Sequence, residues 1–330
     1  MDVREDVYNI IYALAARHGR EAALFGDSAP AAREAFSRSF ASKAFPELWF
    51  ELPLAGEPWF DLHALTSRGD VSADTRFIPE ATGNSMRAFE WFASQDEGVR
   101  QLALSWDTGS GNIASPAVQL LVSSRNTQIV CDFLEAAGRP DATDAYRAFI
   151  RRIPQDWFAC YTGVFPQRPG HTLRVECIPD SELQRAYAED ADLLKAHLSQ
   201  VGFDCADGEV IGCCTKLAAA PFQMEFQFDV TPEGAAGPTF AASARFDAPP
   251  GTKTRQAFDL EGAAGELMHQ VEERGLADER WRLLADTAFA TRLSRDDWSV
   301  MLYCYPAFVK LRWDESKPLD AKAYLIAGVQ

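Results

Sequence analysis

The segment Phe222-Gln223-Met224-Glu225-Phe226-Gln227-Phe228-Asp229 alternates apolar and polar residues without a break. Successive side chains of a β-strand point to opposite faces, so this stretch is a strand with one face for a core and one polar face. The same period of two returns at residues 48–54, 59–65, 101–107, 117–123, 157–165, 171–178, 240–247, within 298–313 and at 321–327. These strands come in pairs joined by turns, for example at Gly56-Glu57-Pro58 and across residues 166–170.

Between the strand pairs the period changes to that of a helix. Helices are expected at residues 5–17, 29–42, 84–95, 127–137, 141–153, 181–201, 258–274 and 277–289, with Ser181 as an N-cap and breaks at Gly138-Arg139-Pro140 and Gly275. Two units repeat each other: Trp157 to Phe165-Pro166 and on to Ile178, and Trp298 to Tyr305-Pro306 and on to Ile326. Repetition of a two-helix, two-strand module is a signal at the level of the fold. No linker interrupts the pattern, so residues 1–330 are expected to form one domain.

Alternation alone leaves two architectures open. A flat sheet would solvate its polar face. A sheet closed into a barrel, with helices packed on the apolar face, would turn the polar face into a lumen and leave no exposed edges. The polar positions include Glu51, Asp61 and His63, Arg174 and Glu176, Gln223 and Glu225, Ser243 and Arg245, Lys310 and Arg312, and Lys322 with Tyr324. Lys310 and Arg312, with Tyr303 and Tyr305 nearby, favour the lumen. The fold expected is α+β: about ten antiparallel strands closed into a barrel of repeated α-α-β-β units, with helices outside.

Charge refines the reading. With 32 Lys and Arg against 48 Asp and Glu, the formal net charge is −16, which argues against a nucleic-acid groove. Only seven residues are lysine, yet two of them fall on the polar faces of strands. A lumen holding Arg174, Arg245, Lys310, Arg312 and Lys322 beside tyrosines suits an anionic ligand with an apolar tail, because these cations neutralise phosphate oxygens and aromatic faces stabilise a cation. Trp49, Trp59 and Trp157 are candidate lumen aromatics, and His63 is a candidate acid–base group there.

Other classes are excluded or left without support. No apolar run is long enough to span a membrane and the first residues carry no signal core, so a cytoplasmic protein without membrane insertion is expected. The seven cysteines show no disulfide framework and read as small core residues, the adjacent Cys213 and Cys214 being the candidates for a reactive thiol. The five histidines have no metal-ligand spacing, and no P-loop, GxSxG or strand-linked GxGxxG is present.

In this order of elements the chain resembles the ABBA-type aromatic prenyltransferases, the PT-barrel enzymes that include dimethylallyltryptophan synthases and bacterial phenol and naphthol prenyltransferases. Phe50-Glu51-Leu52 followed by Trp59-Phe60-Asp61-Leu62 is similar to the family's first strand pair, which implies Glu51 as the residue holding the aromatic acceptor. Lys322-Ala323-Tyr324 matches the family's base two residues before a tyrosine, implying diphosphate binding by Lys322 and shielding of the allyl cation by Tyr324. Arg174-Val175-Glu176 stands where that pattern often repeats, but Glu176 replaces the tyrosine. Ser67-Arg68-Gly69-Asp70 resembles a motif of magnesium-using members and makes Asp70 a candidate metal ligand, although the family requires no cofactor in general.

The resemblance implies transfer of a prenyl group from an allylic diphosphate to an electron-rich ring, on a small molecule or a peptide side chain. Catalysis would fall to Glu51 and Tyr324. Substrate would be held by Trp49, His63, Arg174, Glu176, Gln223, Glu225, Arg245, Tyr303, Lys310, Arg312 and Lys322. The chain lacks clustered aspartates of the DDxxD type, in keeping with diphosphate held by Lys and Arg. The alternative function is a barrel that binds a prenylated, anionic or peptide ligand without turnover.

Overall fold

The computed structural model describes residues 21–27, 47–67, 83–95, 97–107, 112–166, 173–204, 208–246, 258–295, 298–314 and 317–329. The expected helices at 5–17 and 29–42 and the candidate ligand Asp70 lie outside them.

The described strands are β1 (Glu47–Pro53), β2 (Asp61–Ser67), β3 (Val99–Asp107), β4 (Asn112–Val122), β5 (Trp157–Val164), β6 (Leu173–Pro179), β7 (Gln223–Val230), β8 (Ala236–Arg245), β9 (Phe289–Arg295), β10 (Trp298–Asp314) and β11 (Lys317–Val329). The helices are α1 (Glu21–Phe25), α2 (Asn84–Ser94), α3 (Thr127–Ala136), α4 (Ala142–Ile150), α5 (Ser181–Glu189), α6 (Ala191–Gln200), α7 (Gly208–Ala219) and α8 (Ala263–Glu273), with a 3-10 turn at Glu279–Thr287.

Ten of the strands close into an antiparallel barrel in the order β11-β1-β2-β3-β4-β5-β6-β7-β8-β10, and the pairing of β10 with β11 completes the ring. The eleventh, β9, pairs only with the first part of β10, from Trp298↔Arg295 to Cys304↔Phe289. Helical periodicity had extended across residues 277–289. The chain instead makes a 3-10 turn and leaves it at Ala288, whose backbone is extended, so β9 begins at Phe289.

The apolar faces of the strands form the core with the helices. Trp157 lies between Phe226 (4.9 Å between ring centroids) and Phe228 (5.9 Å), and Phe149 of α4 reaches Phe228 at 5.6 Å. Each such fully buried aromatic contributes about 2–3 kcal/mol from area removed from water. Trp157 is therefore core rather than lumen, with its indole N–H donated to Tyr187 (2.8 Å).

Local signals explain the helix ends. Asn126 caps α3 by accepting from the Gln128 backbone N–H (3.0 Å), and Gly138, at φ 74°, closes that helix in a left-handed turn that side chains disfavour. Asp180, not Ser181, caps α5, since its carboxylate accepts from the backbone N–H groups of both Glu182 and Leu183. Residues 181–201 do not form one helix. Asp190 leaves helical geometry and caps α6 through Leu193 N–H (2.9 Å). Cys213 and Cys214 sit buried on α7, an additional helix.

Candidate active site

The inward faces of the strands carry the polar residues that alternation assigned to them. On β7, Met224, Phe226 and Phe228 are buried in the core while Glu225 and Gln227 line a central cavity. That cavity encloses about 130 Å³ and is walled by Trp49, Glu51 and His63 of β1 and β2, Arg174 and Glu176 of β6, Arg245 of β8, and Phe308, Lys310 and Tyr324 of β10 and β11. Its size approaches the ~150 Å³ that accommodates one benzene ring in an engineered apolar cavity.

Glu51 is the hub of the cluster. Its Oε1 lies 2.8 Å from Lys310 Nζ and 3.0 Å from Lys322 Nζ, and its Oε2 lies 3.3 Å from His63 Nε2. Burial pushes the Glu51 carboxyl up, but the two ammoniums and the His63 hydrogen bond outweigh burial and hold it well below the usual carboxylate range. The two lysines fare differently. Burial pulls Lys310 down to about 8 against the attraction of Glu51, with Lys322 and Arg174 pulling the same way as burial. Lys322 is raised despite burial, because it has a second carboxylate, Asp61, at 3.6 Å. Asp61 itself is pushed up to about 6, chiefly by burial.

Tyr324 sits against this cluster. Its hydroxyl accepts a hydrogen bond from Lys310 Nζ, and its ring stacks on Phe308 with centroids 3.9 Å apart and planes at 19°. Burial and the Glu51 charge push its phenol well above the usual range, so it stays neutral. Trp49 meets Phe308 edge-on at 5.6 Å, and the Arg245 guanidinium lies 5.8 Å from the Trp49 ring and 5.7 Å from Phe308. This aromatic wall already holds a cation.

Two further lumen cations, Arg174 and Arg245, are paired as well. Arg174 Nε donates to Asp229 Oδ1 at 2.7 Å and lies over the Phe165 ring. Arg245 Nη1 is 3.5 Å from Glu225 Oε1. Glu176, standing where the resemblance expects tyrosine, accepts from Gln227 Nε2 at 3.4 Å. Burial and the adjacent Glu225 push its carboxyl well above the usual range.

Four of the candidate substrate-binding residues lie away from the cavity wall. Arg312 turns toward Asp314 (3.5 Å) and Asp320 (3.9 Å) at the end of the β10–β11 pair. Gln223 bonds backbone carbonyls of Pro179 and Met224, and Tyr303 donates to Glu47 Oε2 at 2.9 Å. Lys322 is buried beneath the wall, with its Nζ 4.5 Å from the Trp59 ring centroid. Conversely, Ser105, whose Oγ is 2.6 Å from His63 Nδ1, had only the strand period to mark it. Arg100, Gln119, Phe158 and Phe165, which also line the cavity, had no charge pattern or motif to distinguish them.

A β-bulge explains how Tyr303 and Lys310 come to share the inner side. They have opposite parity on β10, but the register with β11 jumps between Pro306 and Phe308, so one extra residue reverses the facing of the strand. Tyr303, Phe308, Tyr324 and Ile326 therefore pack together, with Trp49 and Tyr305 against them.

Among the described residues no three His, Cys, Asp or Glu side chains converge in a group able to hold a metal ion, and no helix is long and apolar enough to cross a membrane.

No family model and no curated protein sequence matches the chain. Solved structures do. The ligand-free prenyltransferase PriB superposes with a TM-score of 0.59 at 13% identity, covering 98% of this chain and 95% of that one. The ternary complex of PriB with L-tryptophan and dimethylallyl thiolodiphosphate gives 0.56 at 13% identity, with the same coverage. The 6-dimethylallyltryptophan synthase from Micromonospora olivasterospora, in complex with DMASPP and Trp, gives 0.50 at 12% identity over 85% of this chain and 81% of that one. Identity this low speaks to fold alone. With its ten-stranded antiparallel ring and helices outside, the chain has the PT-barrel fold of the ABBA-type aromatic prenyltransferases.

Proposed function

We propose that the protein transfers a prenyl group from an allylic diphosphate to an electron-rich aromatic acceptor within the barrel lumen. The observation that carries this reading is the placement of Lys310 and Lys322 beside the Trp49–Phe308–Tyr324 wall, inside a closed barrel of this fold. Lys310, Arg174 and Arg245, which line the cavity, neutralise the leaving diphosphate as the C–O bond breaks and its electron pair departs with oxygen, and Lys322 adds its charge from beneath the wall. The aromatic wall stabilises the allyl cation, and the lumen keeps water from capturing it. The acceptor ring supplies an electron pair to the cation and then passes its ring proton to the Glu51 carboxylate, which restores aromaticity. Glu51, ionised and facing the cavity, anchors the acceptor N–H or O–H. In this reading the lumen Lys and Arg cations supply the charge neutralisation, so it calls for no resident cofactor.

The test is direct: the protein is incubated with dimethylallyl and geranyl diphosphates and a panel of indoles, phenols and tryptophan-containing peptides, and prenylated products are sought by mass spectrometry. A second reading, ligand binding without turnover, draws support from the internal pairing of the lumen cations: Lys310 and Lys322 with Glu51, Arg174 with Asp229, Arg245 with Glu225. A diphosphate has to displace these carboxylates, which leaves buried charge to be compensated. Saturable binding of a diphosphate with no product from any acceptor would favour that reading.

A further inference from the structure

Three strands meet at His63. Its Nε2 is 3.3 Å from Glu51 Oε2 on β1, and its Nδ1 is 2.6 Å from Ser105 Oγ on β3. The register explains the alignment: Trp49 stands opposite His63 across β1–β2, which sets Glu51 diagonal to it, and His63 stands opposite Ser105 across β2–β3. Ser105 and Glu51 are both buried, and His63 and Glu51 line the cavity.

The chemistry of the partners fixes the direction of these hydrogen bonds. An ionised carboxylate only accepts, so the imidazole donates from Nε2–H to Glu51. In the neutral ring Nδ1 is then the acceptor, and the donor available to it is the Ser105 hydroxyl. The chain of donation runs Ser105 O–H to His63 Nδ1, and His63 Nε2–H to Glu51 Oε2. A histidine held at one nitrogen presents a defined tautomer and ring plane at the other.

The arrangement also divides the labour on Glu51. Lys310 and Lys322 both approach Oε1, whereas His63 approaches Oε2. The ammoniums set the charge from Oε1, and the imidazole is the hydrogen-bond donor aligned with Oε2.

We propose that Ser105 and His63 are positioning residues, a hydrogen-bond chain that orients Oε2 of Glu51 toward the acceptor. This rests on the prenyl-transfer reading for its catalytic consequence, but the chain itself is testable without turnover. Long-range 15N–1H NMR of the ligand-free protein at pH 8, with the His63 signals assigned by their loss in His63→Gln, should show a protonated Nε2 and an unprotonated Nδ1. A ring protonated at Nδ1, alone or with Nε2, overturns the proposal whether or not the protein is an enzyme.

In the active protein, Ser105→Ala should lower kcat/KM for the acceptor about tenfold, the usual scale of one lost hydrogen bond. KM for the diphosphate should stay within twofold, and Ser105→Thr, which keeps the hydroxyl, should recover most of the loss. His63→Leu should exceed Ser105→Ala in its effect, and His63→Gln, which can still donate to Glu51, should fall between Leu and the parent. Unchanged acceptor kinetics in Ser105→Ala and His63→Leu overturn the proposal while leaving prenyl transfer standing. A parent protein with the predicted tautomer and no transfer to any acceptor sinks the prenyl-transfer reading and, with it, the positioning role, leaving the hydrogen-bond chain as a structural finding.

Discussion

Lys310 and Lys322 stand directly opposite each other in the β10–β11 register, and one carboxylate oxygen, Oε1 of Glu51, lies within 3.0 Å of both. Like charges facing across a strand pair are destabilising. The pair is tolerated here because β1, on the other side of β11, brings Glu51 to Tyr324 in register and its carboxylate between the two ammoniums. The three residues form one electrostatic unit.

Removing the hub should therefore be costly. Glu51→Gln leaves two buried ammoniums with Asp61 as their remaining close carboxylate, and should lower unfolding free energy by about 3–5 kcal/mol at pH 7. Urea unfolding followed by tryptophan fluorescence measures this. Glu51→Gln with Lys310→Met should recover part of the loss, because one orphaned charge goes with its partner.

Asp61 gives a pH signature. Its folded pKa of about 6 lies above the unfolded value of about 3.9, so the folded state binds the proton more tightly. The Asp61 contribution is fully present below about pH 4 and is lost as the pH rises to about 6, a swing of about 3 kcal/mol. Asp61→Asn should flatten the stability profile in that window. A profile of the same shape in parent and variant would show that Asp61 titrates normally.

Glu176 and Glu225 are buried neighbours that resist carrying two charges. Glu176→Gln should raise the thermal midpoint at pH 8 relative to the parent, because the amide carries no charge to be buried beside Glu225. At pH 4, where the Glu176 carboxyl is protonated in the parent as well, the gain should vanish. Calorimetry at the two pH values makes the comparison.

Lys310→Ala and Arg174→Ala, at two cations that line the cavity, test the anion site. Dimethylallyl thiolodiphosphate, added at a hundred times its dissociation constant, should stabilise the parent by about 2.7 kcal/mol. If these cations hold the diphosphate, either variant should lose most of the resulting rise in melting temperature. Arg312→Ala should keep it, since Arg312 is directed to Asp314 and Asp320 instead.

Much of the site is legible in strand alternation, because facing is a local property. A period of two commits Glu51, His63, Arg174, Glu225 and Arg245 to one side of their strands whatever the rest of the chain does. Ser105 follows the same rule, yet an uncharged residue in Leu102-Ala103-Leu104-Ser105 gave no reason to single it out. Alternation fails at Tyr303 and Lys310, whose parities differ, since a bulge adds one residue with no mark in the sequence.

Read alone, the chain shows ten of the eleven described strands, most of their inner faces, and a module repeated often enough to resemble a known barrel. Only the tertiary structure decided which carboxylate each cation meets. Arg174 reaches Asp229 across β6–β7, while Lys310 and Lys322 converge on Glu51 from the far end of the chain. Such pairings depend on register between strands and on closure of β11 against β1, which join segments distant in sequence. Burial then sets their strength, since a charge removed from water is held in place only by the partners that closure supplies.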